Sequence, residues 1–127
     1  MKYGFSKTVD LSFEETIEKI TGELKKEGFG VLTTIDVKET MKIRLDVDFP
    51  KYKILGACNP SLAHKALQND DQLGLLLPCN IIVYEKHNRV NVSVFDPNVI
   101  VKITEDEHMK EMAISVNEKL GRVLRAI

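Results

Sequence analysis

The sequence has no tryptophan, only two cysteines and four prolines, and no excess of either charge. Each shortage removes a class of explanation. With 18 basic residues against 19 acidic ones and a formal charge of −1, no global field draws the chain onto nucleic acid or an anionic membrane. Nucleic-acid binding through a sheet face needs basic and aromatic-rich strands, and the clearest strand in the chain carries valines instead. No run approaches the roughly 18 uninterrupted apolar residues of a spanning helix. The opening Met-Lys-Tyr-Gly-Phe-Ser-Lys-Thr has no apolar core of the signal-peptide kind. The expectation is a soluble, cytoplasmic protein with neither a nucleic-acid nor a membrane partner. In a reducing compartment its two cysteines are thiols rather than a structural disulfide, and two are too few for a four-cysteine zinc site within one chain.

Common chemical motifs are missing as well. There is no glycine-rich dinucleotide or Walker loop, no His-Glu-x-x-His and no EF-hand pattern. His87 falls in an expected turn and His108 near the start of the last helix, remote in sequence from each other and from any serine with a motif around it. No catalytic triad is visible, and the common cofactor-binding explanations have no foothold, which leaves any cofactor unknown.

What is present is a strong pattern of caps and periodicities over 127 residues, a length for one domain, residues 1–127, that buries about two-thirds of its unfolded surface without staples. Residues 2–10 alternate as a half-buried strand. Ser12 and Glu15 form a capping box ahead of Phe13, Ile17, Ile20 and Leu24 at helical spacing, and Gly28 supplies a left-handed stop. Phe29 to Ile35 is β-branched and aromatic, and reads as a strand returning along the first. Asp36 and Glu39 repeat the capping box for a short helix with Met41 and Leu45, ending near Phe49-Pro50. Tyr52 to Cys58 is the third strand. Asn59 then caps a helix with Pro60 at its first position and Leu62, Ala63, Ala66 and Leu67 on its apolar face.

Gly74 to Pro78 is too short and apolar for a surface loop and leads into a strand at Ile81 to Glu85. His87-Asn88 turns the chain into Val90, Val92 and Val94, a two-residue period whose polar face meets solvent. Val99 to Ile103 reads either as strand or as a helical turn. Thr104 and Glu107 form a third capping box, after which Met109, Met112, Ala113, Val116, Leu120, Val123, Leu124 and Ile127 keep helical spacing to the chain end. Lys119, Arg122 and Arg125 complement the dipole at that helix's end. The sum is an α+β domain, a mostly antiparallel sheet of about five strands with helices packed on one face, in the order β-α-β-α-β-α-β-β-α.

Two junctions stand out. Cys58 ends a strand immediately before a helix cap, and Cys79 precedes the next strand. A thiol near a helix N-terminus has a route to a lowered pKa, whereas a buried cysteine acts as a small apolar filler, and the filler reading leads. A reversible disulfide between them needs Cα atoms within about 7 Å. Asn59 and Asn80, each following a cysteine, read first as a cap and a local backbone partner. Their functional alternative is a pair of amides lining a small pocket with the two thiols, for a ligand with both donors and acceptors. A metal set of Cys58, His64 and Cys79 is weakened by geometry: Cys58 packs over Ala63, and His64 lies about 100° further round the helix. Asp46 and Asp48 read as solvated surface.

The segments Gly56-Ala-Cys-Asn-Pro60, Leu62-Ala-His-Lys-Ala-Leu67, Gly74-Leu-Leu-Leu-Pro-Cys-Asn80 and Ile82-Val-Tyr-Glu85, with the Gly28-Phe29 join and the Asp96-Pro97 break, resemble the domain of unknown function 302 family across nearly the whole chain. The resemblance implies a TATA-binding-protein-like arrangement of sheet and helices, homodimers, and no established activity. That likeness is architectural and carries no DNA binding with it. It assigns no role to Cys58 or Cys79. Two functions follow: an uncharacterised dimeric domain binding a small ligand or metal near these junctions, or a thiol-based redox enzyme or sensor using Cys58 with Cys79 as resolving thiol.

Overall fold

The computed structural model describes residues 3–127, so Lys2, within the expected opening strand, lies outside the described residues. The elements run β1 (Gly4–Val9), α1 (Phe13–Lys26), β2 (Gly30–Asp36), α2 (Val37–Leu45), β3 (Tyr52–Cys58), α3 (Pro60–Asn69), a 3-10 segment (Asp71–Leu76), β4 (Cys79–Lys86), β5 (Arg89–Phe95), α4 (Asn98–Thr104), a 3-10 turn (Glu107–Met109) and α5 (Lys110–Arg125). The expected α+β class and element order are present. Val99–Ile103, open between strand and helix in the sequence, is helical within α4.

All neighbouring strands pair antiparallel, in the spatial order β1-β5-β4-β3-β2. The expected pairing of β2 with β1 is therefore corrected: the two strands occupy opposite edges. A helical crossover returns the chain to the end where it started, so β2 runs parallel to β1. Among antiparallel neighbours such a strand cannot lie beside β1, and β3, β4 and β5 separate the two.

The local signals explain the helices. Ser12 accepts the Glu15 amide at 3.1 Å and Asp36 accepts the Glu39 amide at 3.0 Å, as their spacing predicts. At the end of α1, Gly28 has φ +84°, and the Phe29 amide reaches the Leu24 carbonyl at 2.9 Å in a Schellman closure. Helix α2 stops at Leu45 rather than near Phe49-Pro50, because Asp46 takes the left-handed conformation and closes the helix itself. Thr104 is not the cap of the last helix. Its hydroxyl donates to the Ile100 carbonyl inside α4, Glu105 ends that helix at φ 55°, and Asp106 accepts the His108 amide to start the next turn.

Helices α1 and α5 cover the sheet face that carries Val90, Val92, Val94, Ile81, Val83 and Leu55, all buried with Ile20, Leu24, Leu120 and Val123. Lys7, on the same face of edge strand β1, donates to the Leu124 and Ile127 carbonyls and so satisfies the end of α5. Arg122 forks onto Glu27 with contacts of 2.8 to 3.1 Å, joining the ends of α1 and α5 and holding the Glu27 carboxyl below its ordinary pKa. A second buried cluster, Ala66, Leu73, Ile100 and Met109, joins α3, the 3-10 segment, α4 and the approach to α5. The Gly74–Pro78 stretch is only partly inside: Leu75 is 81% exposed.

On the opposite sheet face the cross-strand partners Ile35, Ile54, Ile82, Ser93 and Ser6 form one row. Beside it Tyr52 stacks on Tyr84 at 5.4 Å. Ser93, on the face expected to meet solvent, is buried, with its hydroxyl 2.7 Å from that of its cross-strand partner Ser6.

His87 and Asn88, at φ 53° and 60°, make the two-residue turn between paired Lys86 and Arg89. Positive φ at both central residues is the type I′ geometry, which glycine accepts without a Cβ penalty. Asn88→Gly is expected to raise stability by about 0.5 kcal/mol. The check is the urea midpoint at unchanged slope, and a lowered midpoint contradicts this reading of the turn.

Candidate functional site

Where β3 ends and β4 begins, the helices do not close completely over the sheet. A cavity of about 330 Å³ remains between the strand ends and α3, α4 and α5. Three local features shape its surroundings. Asn59 caps α3 by accepting the Leu62 amide at 3.3 Å, and its side-chain amide donates to the Glu27 carbonyl at 3.5 Å, fixing α3 against the end of α1. Pro78, reached through a cis Leu77-Pro78 bond, turns the chain into β4. Gly56 lets Thr33 and Pro78 approach the β3 backbone: a Cβ there would lie 2.2 Å from the Thr33 hydroxyl oxygen and 2.8 Å from Pro78 Cγ.

The wall is overwhelmingly apolar. Leu62 and Ala66 come from α3, Leu73 and Leu77 from the following segment, Ile100 from α4, and Met112 and Val116 from α5. No lining residue is charged. The polar groups are Thr33, Asn59 and the two thiols. Asn59 spends its amide on the cap and on Glu27, while the Thr33 hydroxyl makes no hydrogen bond to another described residue.

Of the four ligand candidates, Cys58, Asn59 and Cys79 line this cavity, whereas Asn80 is exposed and outside it. The alternative of a pocket with paired amides thus has one of its two amides, Asn59, at the cavity, and the wall around it is apolar. His64 is exposed and also outside the wall, and no three His, Cys, Asp or Glu residues among the described residues are grouped to hold a metal ion.

Cys58 and Cys79 are free thiols, the first half-buried and the second buried. Cys79 pairs with Ala57, one residue before Cys58, so strand alternation sends the two side chains to opposite sheet faces. Burial first, and the neighbouring Cys58 second, push the Cys79 thiol up to about 11.

Thr33, Pro97, Ile100, Met109 and Met112 were not singled out by the sequence as site residues. They come from segments distant along the chain. The one local signal was the helical spacing of Met109 and Met112, which marks an inward face without saying that the space before it is empty.

Fold and cavity together define a small α+β domain with a hollow apolar end. The sequence matches the family described as "Domain of unknown function DUF302" over residues 5–127, and the chain belongs to that family. It is similar to the crystal structure of an uncharacterised conserved protein of this family from Bacillus stearothermophilus, at 30% identity and a TM-score of 0.92, over 99% of this chain and 98% of that one. No curated protein matches. No helix among the described residues is long and apolar enough to cross a membrane.

Proposed function

We propose that this chain is a single-domain, dimeric, cytoplasmic protein that binds a small ligand in the cavity walled by Cys58, Asn59 and Cys79, without itself performing a reaction. The observation that carries the reading is the cavity: about 330 Å³ falls within the usual range for small-molecule sites, and its wall is as apolar as such sites are. Packed cores do not leave such voids by default, because each costs the contacts its lining could have made.

Dimerisation is supported by the open sheet face and its neighbourhood. The Ile35-Ile54-Ile82 row lies on the face opposite α1 and α5, edge strand β2 and helix α2 bury none of their side chains, and Leu32, Ile43, Leu45 and Val47 are exposed. Apolar surface of that extent is typical of an interaction site. Two free thiols fit a reducing compartment. The redox alternative, with Cys79 as resolving thiol, has against it the raised pKa and the opposite orientations of the two side chains.

The test is native mass spectrometry of the full chain purified without denaturant, beside Ala63→Leu, which extends a side chain on the α3 wall into the cavity. The expected result is a dimer carrying extra mass that the variant lacks while its dimer mass persists. A monomer at micromolar concentration contradicts the dimer. A clean chain mass, with Cys58 alkylation that no apolar additive slows, contradicts the ligand site.

A further inference from the structure

We infer that the ligand of this cavity is an uncharged, mainly aliphatic molecule of about a dozen non-hydrogen atoms with a single hydrogen-bonding group, which meets the Thr33 hydroxyl. The inference rests on the cavity being a ligand site and adds the ligand's chemical class.

Size comes first. An apolar cavity of about 150 Å³ accommodates benzene. The present cavity, at about 330 Å³, is roughly twice as large and takes a ligand about twice benzene's size.

Charge is decided by the wall. An ionised carboxylate, phosphate or ammonium drawn into such a site needs a charged or multiply hydrogen-bonding partner to offset its lost hydration. None of the lining residues carries a charge, and among the described residues no buried side-chain polar atom is left without a hydrogen bond to receive such a group. A sugar, nucleobase or other ligand with many polar edges is excluded by the same count. Asn59 is already committed at both ends of its amide. Thr33 is different: exposed, part of the wall, and with its hydroxyl free to donate or accept once. One polar group on the ligand, facing the Thr33 side while its body lies against Leu73, Ile100 and Met112, fits that distribution. An aliphatic alcohol, aldehyde or ketone has this form.

The experiment uses the full chain with 13C-methyl methionine. Met109 and Met112 are in the cavity wall and Met41 is not, so the first two report binding and the third is an internal control. The probes are 1-decanol, decane, decanoate and decyltrimethylammonium, titrated at pH 8. Decanol is expected to shift the Met109 and Met112 methyl signals saturably, leave Met41 in place, and bind at least about tenfold more tightly than either ion. Thr33→Val is expected to weaken decanol severalfold while leaving decane binding unchanged. Equal or tighter binding of decanoate or the ammonium probe overturns the uncharged class and leaves the ligand site standing. If Thr33→Val leaves decanol affinity unchanged, the single polar contact is wrong. If no probe moves either methyl, the inference and the ligand site both fall.

Discussion

Replacing Gly56 by alanine is expected to destabilise the protein by about 3 kcal/mol, the upper part of the range for overpacking a closed site. The added methyl would lie 2.2 Å from the Thr33 hydroxyl oxygen and 2.8 Å from Pro78 Cγ. Neither neighbour can swing away as the tip of a long side chain would. Thr33 is a β-branched residue on a paired strand, and Pro78 is a ring fixed to the backbone just ahead of β4. Gly56 itself pairs with Thr33 on one side and Asn80 on the other, so the strand cannot shift without loosening both ladders. The measurement is urea unfolding of wild type, Gly56→Ala, Thr33→Ala and the double variant. Removing the Thr33 hydroxyl clears the shorter of the two clashes, so the double variant should recover part of the loss. An alanine that costs under about 0.5 kcal/mol, the scale of a neutral surface change, would mean that β2, β3 and Pro78 are not held this close.

The two thiols should differ sharply in reactivity. Cys79 is 8% exposed, and its thiol is pushed from an ordinary 9.0 up to about 11, by burial first and by Cys58 second. At neutral pH that lowers its thiolate population about a hundredfold against a free thiol, before access is counted. Alkylation at pH 7.5 followed by peptide mass analysis is expected to modify Cys58 while Cys79 stays intact, and to modify both in denaturant. The same burial links to stability. The folded chain holds the Cys79 proton more tightly than the unfolded chain does, so this contribution is complete below about pH 9 and is lost as pH rises toward 11, amounting at most to between about 2 and 3 kcal/mol. Other groups titrate in that window, so the quantity to compare is the alkaline slope of stability in wild type and in Cys79→Ala. Equal slopes, or fast labelling of Cys79 in the folded chain, would show that the thiol is not buried as described.

What could be read from the sequence was what is decided within a few residues. Ser12 and Asp36 cap their helices, Asn59-Pro60 opens α3, Gly28 closes α1 and His87-Asn88 turns the hairpin, each through contacts spanning at most five positions. The valines of β5 gave its two faces directly. Where local signals competed, the nearer one misled: Thr104 with Glu107 has the letters of a capping box, but the left-handed Glu105 intervenes and Asp106 takes the capping role.

Long-range arrangement was less accessible. Nothing local to Phe29–Ile35 records that the β4-β5 hairpin will pair with both β1 and β3 and displace β2 to the far edge. The cavity belongs to the same class. Cys58, Asn59 and Cys79 were placed near a site because they stand at junctions, and they do line the cavity. Its apolar character comes instead from Leu73, Ile100, Met112 and Val116, whose spacing alone reads as ordinary core. Periodicity says which side chains turn inward; it does not record how far apart the inward faces stop.

The most direct measurement of the central claim is a crystal structure of the protein under xenon pressure, since xenon enters apolar cavities without needing a polar partner. The expected result is xenon density among Leu73, Ile100 and Met112, at the end of β3 and β4. Density absent there, with α3, α4 and α5 packed onto the strand ends, would contradict the cavity and with it the ligand site.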